Sequence, residues 1–183
     1  MIRKLIAYHA TRLKGLPPSL DAEALLWAFY HSERYSIYRK EPRFDPAFAP
    51  EGLYYRLSKQ VRDEYQKWGK AACCCYSNFQ MPYLTAVELG YNGPPLALDR
   101  DRISLPFVIL HLTKRIRSRA AQTPEEVADA YNSLSYRSFP QPYRYLKRFR
   151  HFYDRALKRA QTCKDTTKKQ DASTTSLENS PAE

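Results

Sequence analysis

Glu33, in the stretch ALLWAFYHSER, is the residue whose type and position best fit proton-transfer chemistry. It follows Phe29 by four positions and Leu26 by seven, so on a helix its carboxyl shares the face of the apolar residues Ala22, Leu25, Leu26 and Phe29. Burial disfavours the charged form of an acid. The negative end of a helix dipole disfavours it further, and both effects raise the pKa. A carboxylic acid held protonated near neutrality can give its proton to a glycosidic oxygen. The other arrangement open to Glu33 is a helix-end carboxylate turned into water, where it does no chemistry.

Glu41, in YRKEPRF, is a second acid, flanked by Arg39, Lys40 and Arg43. It reads as a surface or ion-paired residue; facing Glu33 across a cleft, it would position water and tilt a reaction toward hydrolysis. His31 and His111 have no partners at metal-ligand spacing. Cys73, Cys74 and Cys75 are contiguous, which suits neither a zinc knuckle nor a disulfide framework, and they read as small buried residues of a protein made in a reducing compartment. Cys163 falls in a polar tail. No metal and no cofactor is expected.

The elements that must position these groups read as helices. Ser19, after Pro17 and Pro18, is placed to cap a helix with Asp21 and Glu23 in its first turn. Residues 35–50 hold three prolines and many charges and read as extended or looped chain. One helix is predicted over 53–68 with Leu53, Leu57, Val61, Tyr65 and Trp68 on one stripe, and a short one over 85–90 ended by Gly90. SLPFVILHL, within 103–117, suggests a buried helix, with a strand as the alternative. TPEE is the clearest helix start, with Thr123 as cap, Pro124 in the first helical position and Glu126 closing a capping box. A final helix, 143–159, interleaves Tyr145, Phe149, Phe152 and Tyr153 with Arg and Lys.

Four stretches, in order, resemble the lytic transglycosylase family of lysozyme-like murein-cleaving domains. ALLWAFYHSER is similar to the family's helix in which an alanine precedes the catalytic glutamate by five positions, as Ala28 precedes Glu33. SNFQMPYLTA is similar to Gly-Leu-Met-Gln-Ile-Met-Pro-x-Thr-Ala, with Gln80, Thr85 and Ala86 in register. ELGYNGPPLALDRDRIS resembles the Leu-Gly and loop that follow, and Ala130-Tyr131-Asn132 resembles the Ala-Tyr-Asn near the end of the domain.

The resemblance implies a mainly α, lysozyme-like single domain over 1–160. It also implies a glutamate, Glu33, that protonates the β-1,4 oxygen between N-acetylmuramic acid and N-acetylglucosamine. That glutamate then takes the C6 hydroxyl proton as a 1,6-anhydro sugar closes, so one carboxylate suffices where ordinary glycoside hydrolysis uses two. Gln80, Tyr131, Asn132, Tyr76 and Ser77 become substrate-binding residues of the glycan cleft, an amide suiting the hydroxyls and acetamides of amino sugars. Otherwise Gln80 is a loop-bracing or capping amide and Tyr131 a core aromatic. The chain departs from the pattern at Arg34, where Ser is usual; at Ser77, where a glycine permits close approach or positive φ; and at Ser133, Arg102 and Pro106.

A chain of 183 residues with 43% hydrophobic content supports one domain with a core. Residues 161–183 have hardly an apolar side chain and read as a disordered tail. The net charge of +11 lies in the folded part and calls for an anionic partner, which nucleic acid, an anionic membrane surface and a bacterial wall all satisfy. With the resemblance, murein glycan strands are the expected partner, for a monomer with no membrane span and no recognisable signal peptide. Action at the bacterial wall or periplasm would then need delivery by a phage or a secretion apparatus, and nucleic acid is the less expected partner. The alternatives are a wall-binding lysozyme-like domain without activity and a basic helical nucleic-acid binder, the latter suggested by the Arg and aromatic interleaving over 137–159.

Overall fold

The computed structural model describes residues 1–35, 42–132 and 143–175, with side chains described over 1–34, 42–132 and 143–162. The fold is mainly helical. Helices α1 (Ile2–Ala10), α2 (Ala22–Tyr35), α3 (Leu53–Leu57), α4 (Lys59–Trp68), α5 (Tyr83–Glu88), α6 (Asp101–Arg119), α7 (Pro124–Asn132) and α8 (Tyr143–Thr175) accompany a small antiparallel sheet, against which α5 and α6 pack. Its strands, β1 (Arg43–Phe44), β2 (Cys74–Tyr76) and β3 (Met81–Pro82), lie in the order β1-β2-β3. Arg43 pairs with Cys75, and Tyr76 with Met81. Among the described residues no helix is long and apolar enough to cross a membrane.

α2 is the spine. Its Leu25, Leu26, Ala28 and Phe29 are fully buried, and it packs along α8. The Phe29 ring lies 4.6 Å from Tyr131 of α7 and 4.6 Å from Phe149 of α8, so one aromatic side chain ties three helices together. The alternative strand over 103–117 is excluded, since α6 buries Leu105, Val108, Leu112 and Ile116 at helical spacing. Pro106 sits inside that helix, close enough to its start that only an early ladder bond is lost.

The capping box at α7 forms as read: Glu126 N donates to Thr123 Oγ1 at 3.2 Å, and Thr123 N donates to Glu126 Oε2 at 3.1 Å. Other boundaries moved. Asp21, not Ser19, caps α2, its Oδ1 accepting from Ala24 N at 2.7 Å. The single helix expected over 53–68 is two, because Ser58 takes an extended backbone and its hydroxyl accepts from Val61 N to start α4 anew. The stripe expected there does not form a buried face: Val61 is buried but Leu57 is 74% exposed. α8 passes the expected end at Arg159 and runs to Thr175, so the tail expected from 161 begins within a helix. Gln161 and Thr162 are exposed and add nothing to the core.

Candidate active site

Glu33 lies in the last turn of α2 with its side chain buried, 2% exposed, rather than turned into water. Its Oε1 accepts a hydrogen bond from Tyr145 Oη at 2.6 Å and another from Asn132 Nδ2 at 3.2 Å. Asn132 Nδ2 also donates to Tyr145 Oη at 2.7 Å, closing a triangle of three side chains from α2, α7 and α8. Burial raises the Glu33 pKa above the ordinary carboxylate value; the hydrogen bonds from Tyr145 and Asn132 and the charges of Arg43 and Arg148 pull it back, and burial wins. Around it, Arg148 Nη2 donates to Ser32 O at 3.1 Å, and Arg43 Nη2 lies 3.6 Å from Cys75 Sγ.

The second part of the site is the turn from β2 to β3. Ser77 has φ +64° and Gln80 φ +50°, a left-handed backbone that glycine adopts at least cost. Ser77 thus holds the conformation for which a glycine is expected at this position. Local bonds over-determine it: Phe79 N donates to Ser77 Oγ at 3.3 Å, and Gln80 N to Ser77 O at 3.2 Å. Two acids, Asp99 just before α6 and Asp101 at its first position, brace the turn from outside. Asp99 Oδ1 accepts from Ser77 N at 3.2 Å; Asp101 accepts from Asn78 N at 3.2 Å and from Asn78 Nδ2 at 2.8 Å.

Tyr131 joins the two parts. Its hydroxyl donates to Phe79 O at 2.7 Å, beside Gln80, while its ring packs on Phe29 one turn before Glu33. Tyr131 therefore serves as core aromatic and as strut at once. Gln80 is 5% exposed; its Nε2 donates to Ser77 O at 3.0 Å, the bracing role, and its Oε1 has no hydrogen-bond partner among the described residues. Tyr76, expected as a substrate-binding residue, is buried. It is 1% exposed and donates its hydroxyl to Ala71 O at 2.7 Å, so its side chain is committed to the core. Ser77 is buried, and both its backbone and its hydroxyl are engaged in the turn.

The remaining sequence candidates sort by burial. Cys73 and Cys75 are buried free thiols, each pushed up to about 11, chiefly by burial, while Cys74 is half-buried. His111 is buried with Nε2 3.2 Å from Tyr131 O and pushed down to about 4, chiefly by burial. Among the described residues no three His, Cys, Asp or Glu side chains form a metal-ligand group. Arg34 folds back on α2, its Nη1 donating to Tyr30 Oη at 3.1 Å. Glu41 and Ser133 lie outside the described residues.

Sequence reasoning missed Tyr145, Asp99, Asp101 and Arg148. Tyr145 carried a weak signal: it stands four positions before Phe149 and so on the same helix face, a polar tip beside an apolar stripe. No family model, curated protein or solved structure matches the chain.

Proposed function

We propose that the protein is a lytic transglycosylase that cleaves the β-1,4 bond of murein glycan strands and leaves a 1,6-anhydromuramoyl end. The observation that carries the reading is the Glu33 carboxyl: buried, raised in pKa, and held through one oxygen by the Tyr145 hydroxyl and the Asn132 amide. Burial supplies the protonated acid that the first step consumes, as the glycosidic oxygen takes the Glu33 proton and its bond to C1 breaks. Glu33 is then an anion. Two hydrogen-bond donors on Oε1 stabilise that anion in a low-dielectric site, so the acid is not too weak to give up its proton. The C6 hydroxyl oxygen next bonds to C1 and its proton passes to the carboxylate, restoring the starting state.

Gln80 contributes a buried acceptor with no partner among the described residues, suited to a hydroxyl or acetamide N–H of the sugar. Tyr131 and the Asp99–Asp101 pair hold the turn that carries it. In this reading Tyr145 and Asn132 are positioning residues.

A second reading is favoured by the near-complete burial of Glu33: a wall-binding domain in which the same triangle only joins three helices. Release of soluble fragments from dye-labelled murein separates the two. Cleavage by the native chain and its loss in Glu33→Gln, with fold and binding to sacculi retained, is the outcome for the enzyme. Binding without release by either protein is the outcome for the inactive domain.

A further inference from the structure

A cleft of about 820 Å³ opens where the first turns of α2 meet α8 and the start of α1, lined by Trp27, His31, Phe152, Arg155, Lys158 and Arg159 with their neighbours. It contains neither Glu33 nor the donors to it. At about 100° per residue, His31 and Glu33 lie about 200° apart around α2, so the cleft and the buried acid use opposite faces of one helix.

Two features mark its chemistry. The first is a column of flat rings: Trp27 stacks on His31 with centroids 5.6 Å apart and planes 20° apart, and His31 stacks on Phe152 at 5.2 Å and 29°. Burial, with the charges of Arg155, Arg159 and Arg34, pulls the His31 pKa down, so the middle plate is a neutral ring near pH 7. All three rings are half-buried, which leaves part of the column open to the cleft. The second feature is the exposed row of Arg155, Lys158 and Arg159 on α8, at helical spacing along one rim. The acids in the lining are committed: Asp21 caps α2, and Glu23 Oε1 accepts from Trp27 Nε1 at 3.4 Å.

We infer that this cleft binds single-stranded nucleic acid, a base extending the Trp27–His31–Phe152 column and the adjoining phosphates lying along Arg155, Lys158 and Arg159. Cations alone would hold any polyanion, but a ring column beside them selects a chain that alternates flat rings with phosphates. An anionic wall polymer of alditol phosphates offers the charge without the ring. The site stands apart from the murein reading and survives its failure.

Replacing Trp68 by Phe leaves Trp27 as the one indole of a chain with two tryptophans, and its fluorescence then reports on the cleft. Titration with a short oligo-dT should quench Trp27. An abasic oligomer of equal charge should bind about tenfold more weakly for each stacked base lost. Neutralising about three phosphates predicts an affinity loss of about 20-fold between about 50 and about 200 mM salt. Reversal of the exposed cations, by Arg155→Glu, Lys158→Glu and Arg159→Glu together, should abolish quenching while circular dichroism and any murein cleavage stay unchanged. Absence of quenching by oligo-dT overturns the inference. So does equal binding by the abasic chain or by an alditol-phosphate polymer, or unchanged binding by the charge-reversed variant.

Discussion

Tyr145→Phe probes the triangle at Glu33 with the smallest change of shape. The ring stays against Phe149, with centroids 6.3 Å apart, and only the hydroxyl that donates to Glu33 Oε1 at 2.6 Å is lost. Against an ionised carboxylate such a bond contributes about 1.5–3 kcal/mol, and against a protonated one about 0.5–1.5 kcal/mol. The sign with pH follows from burial. Glu33 has a raised folded-state pKa, so it is protonated in acid and becomes ionised as pH rises through that value. The hydroxyl favours the ionised form and is among the groups pulling the pKa down. Its removal should therefore cost about 1 kcal/mol at a pH below the ordinary carboxylate value and about 2 kcal/mol once the pH has passed the raised folded-state value. For a chain of this size that is a fall in Tm of about 2–4 °C in acid and about 4–8 °C in base. Thermal unfolding of native and variant chains across that range is the assay, with the same substitution in a Glu33→Gln background as control, where the pH dependence should vanish. An equal penalty at both ends, or a larger one in acid, would refute the coupling between hydroxyl and carboxylate.

Glu33→Gln should keep the bonds from Tyr145 and Asn132 and remove the charge. The native acid's raised pKa gives stability that is fully present below the unfolded value of 4.5 and is lost as pH rises through the folded value, so the variant's advantage in urea unfolding should grow with pH. Ala120 follows α6 at φ +49° and ψ +38° and is exposed; Ala120→Gly should stabilise by about 1 kcal/mol, raising Tm by about 2–4 °C. Tyr131→Phe removes the strut to Phe79 O and should cost about 1–3 kcal/mol by leaving a buried carbonyl short of its donor. Hydrogen exchange in that variant should rise first at Ser77–Gln80.

Much of the scaffold was legible because its signals are local. The apolar spacing of α2 and the Thr123–Glu126 box each lie within a few residues, and both elements formed where the spacing put them. Strands of two or three residues are too short for alternation to register, so the sheet of β1, β2 and β3 left no periodic trace. Ser58 broke a continuous helical pattern because its hydroxyl offers the backbone a competing partner, a choice that spacing does not reveal. At the site, Glu33 and Asn132 were found and do meet, while Tyr145 was hidden in a helix whose aromatics read equally well as core. Contacts spanning 112 residues of chain, as between Tyr145 and Glu33, follow from packing that no local window contains. The burial of Tyr76 was hidden for the same reason: the Ala71 carbonyl that takes its hydroxyl belongs to a turn that the sequence pattern did not define.

The most direct test of the Glu33 proposal is the chemistry of the cut end. Mass spectrometry of fragments released from purified murein should find 1,6-anhydromuramoyl ends with the native chain and none with Glu33→Gln. Reducing muramic acid ends from the native chain, or anhydro ends made equally well by the Glu33→Gln variant, would contradict it.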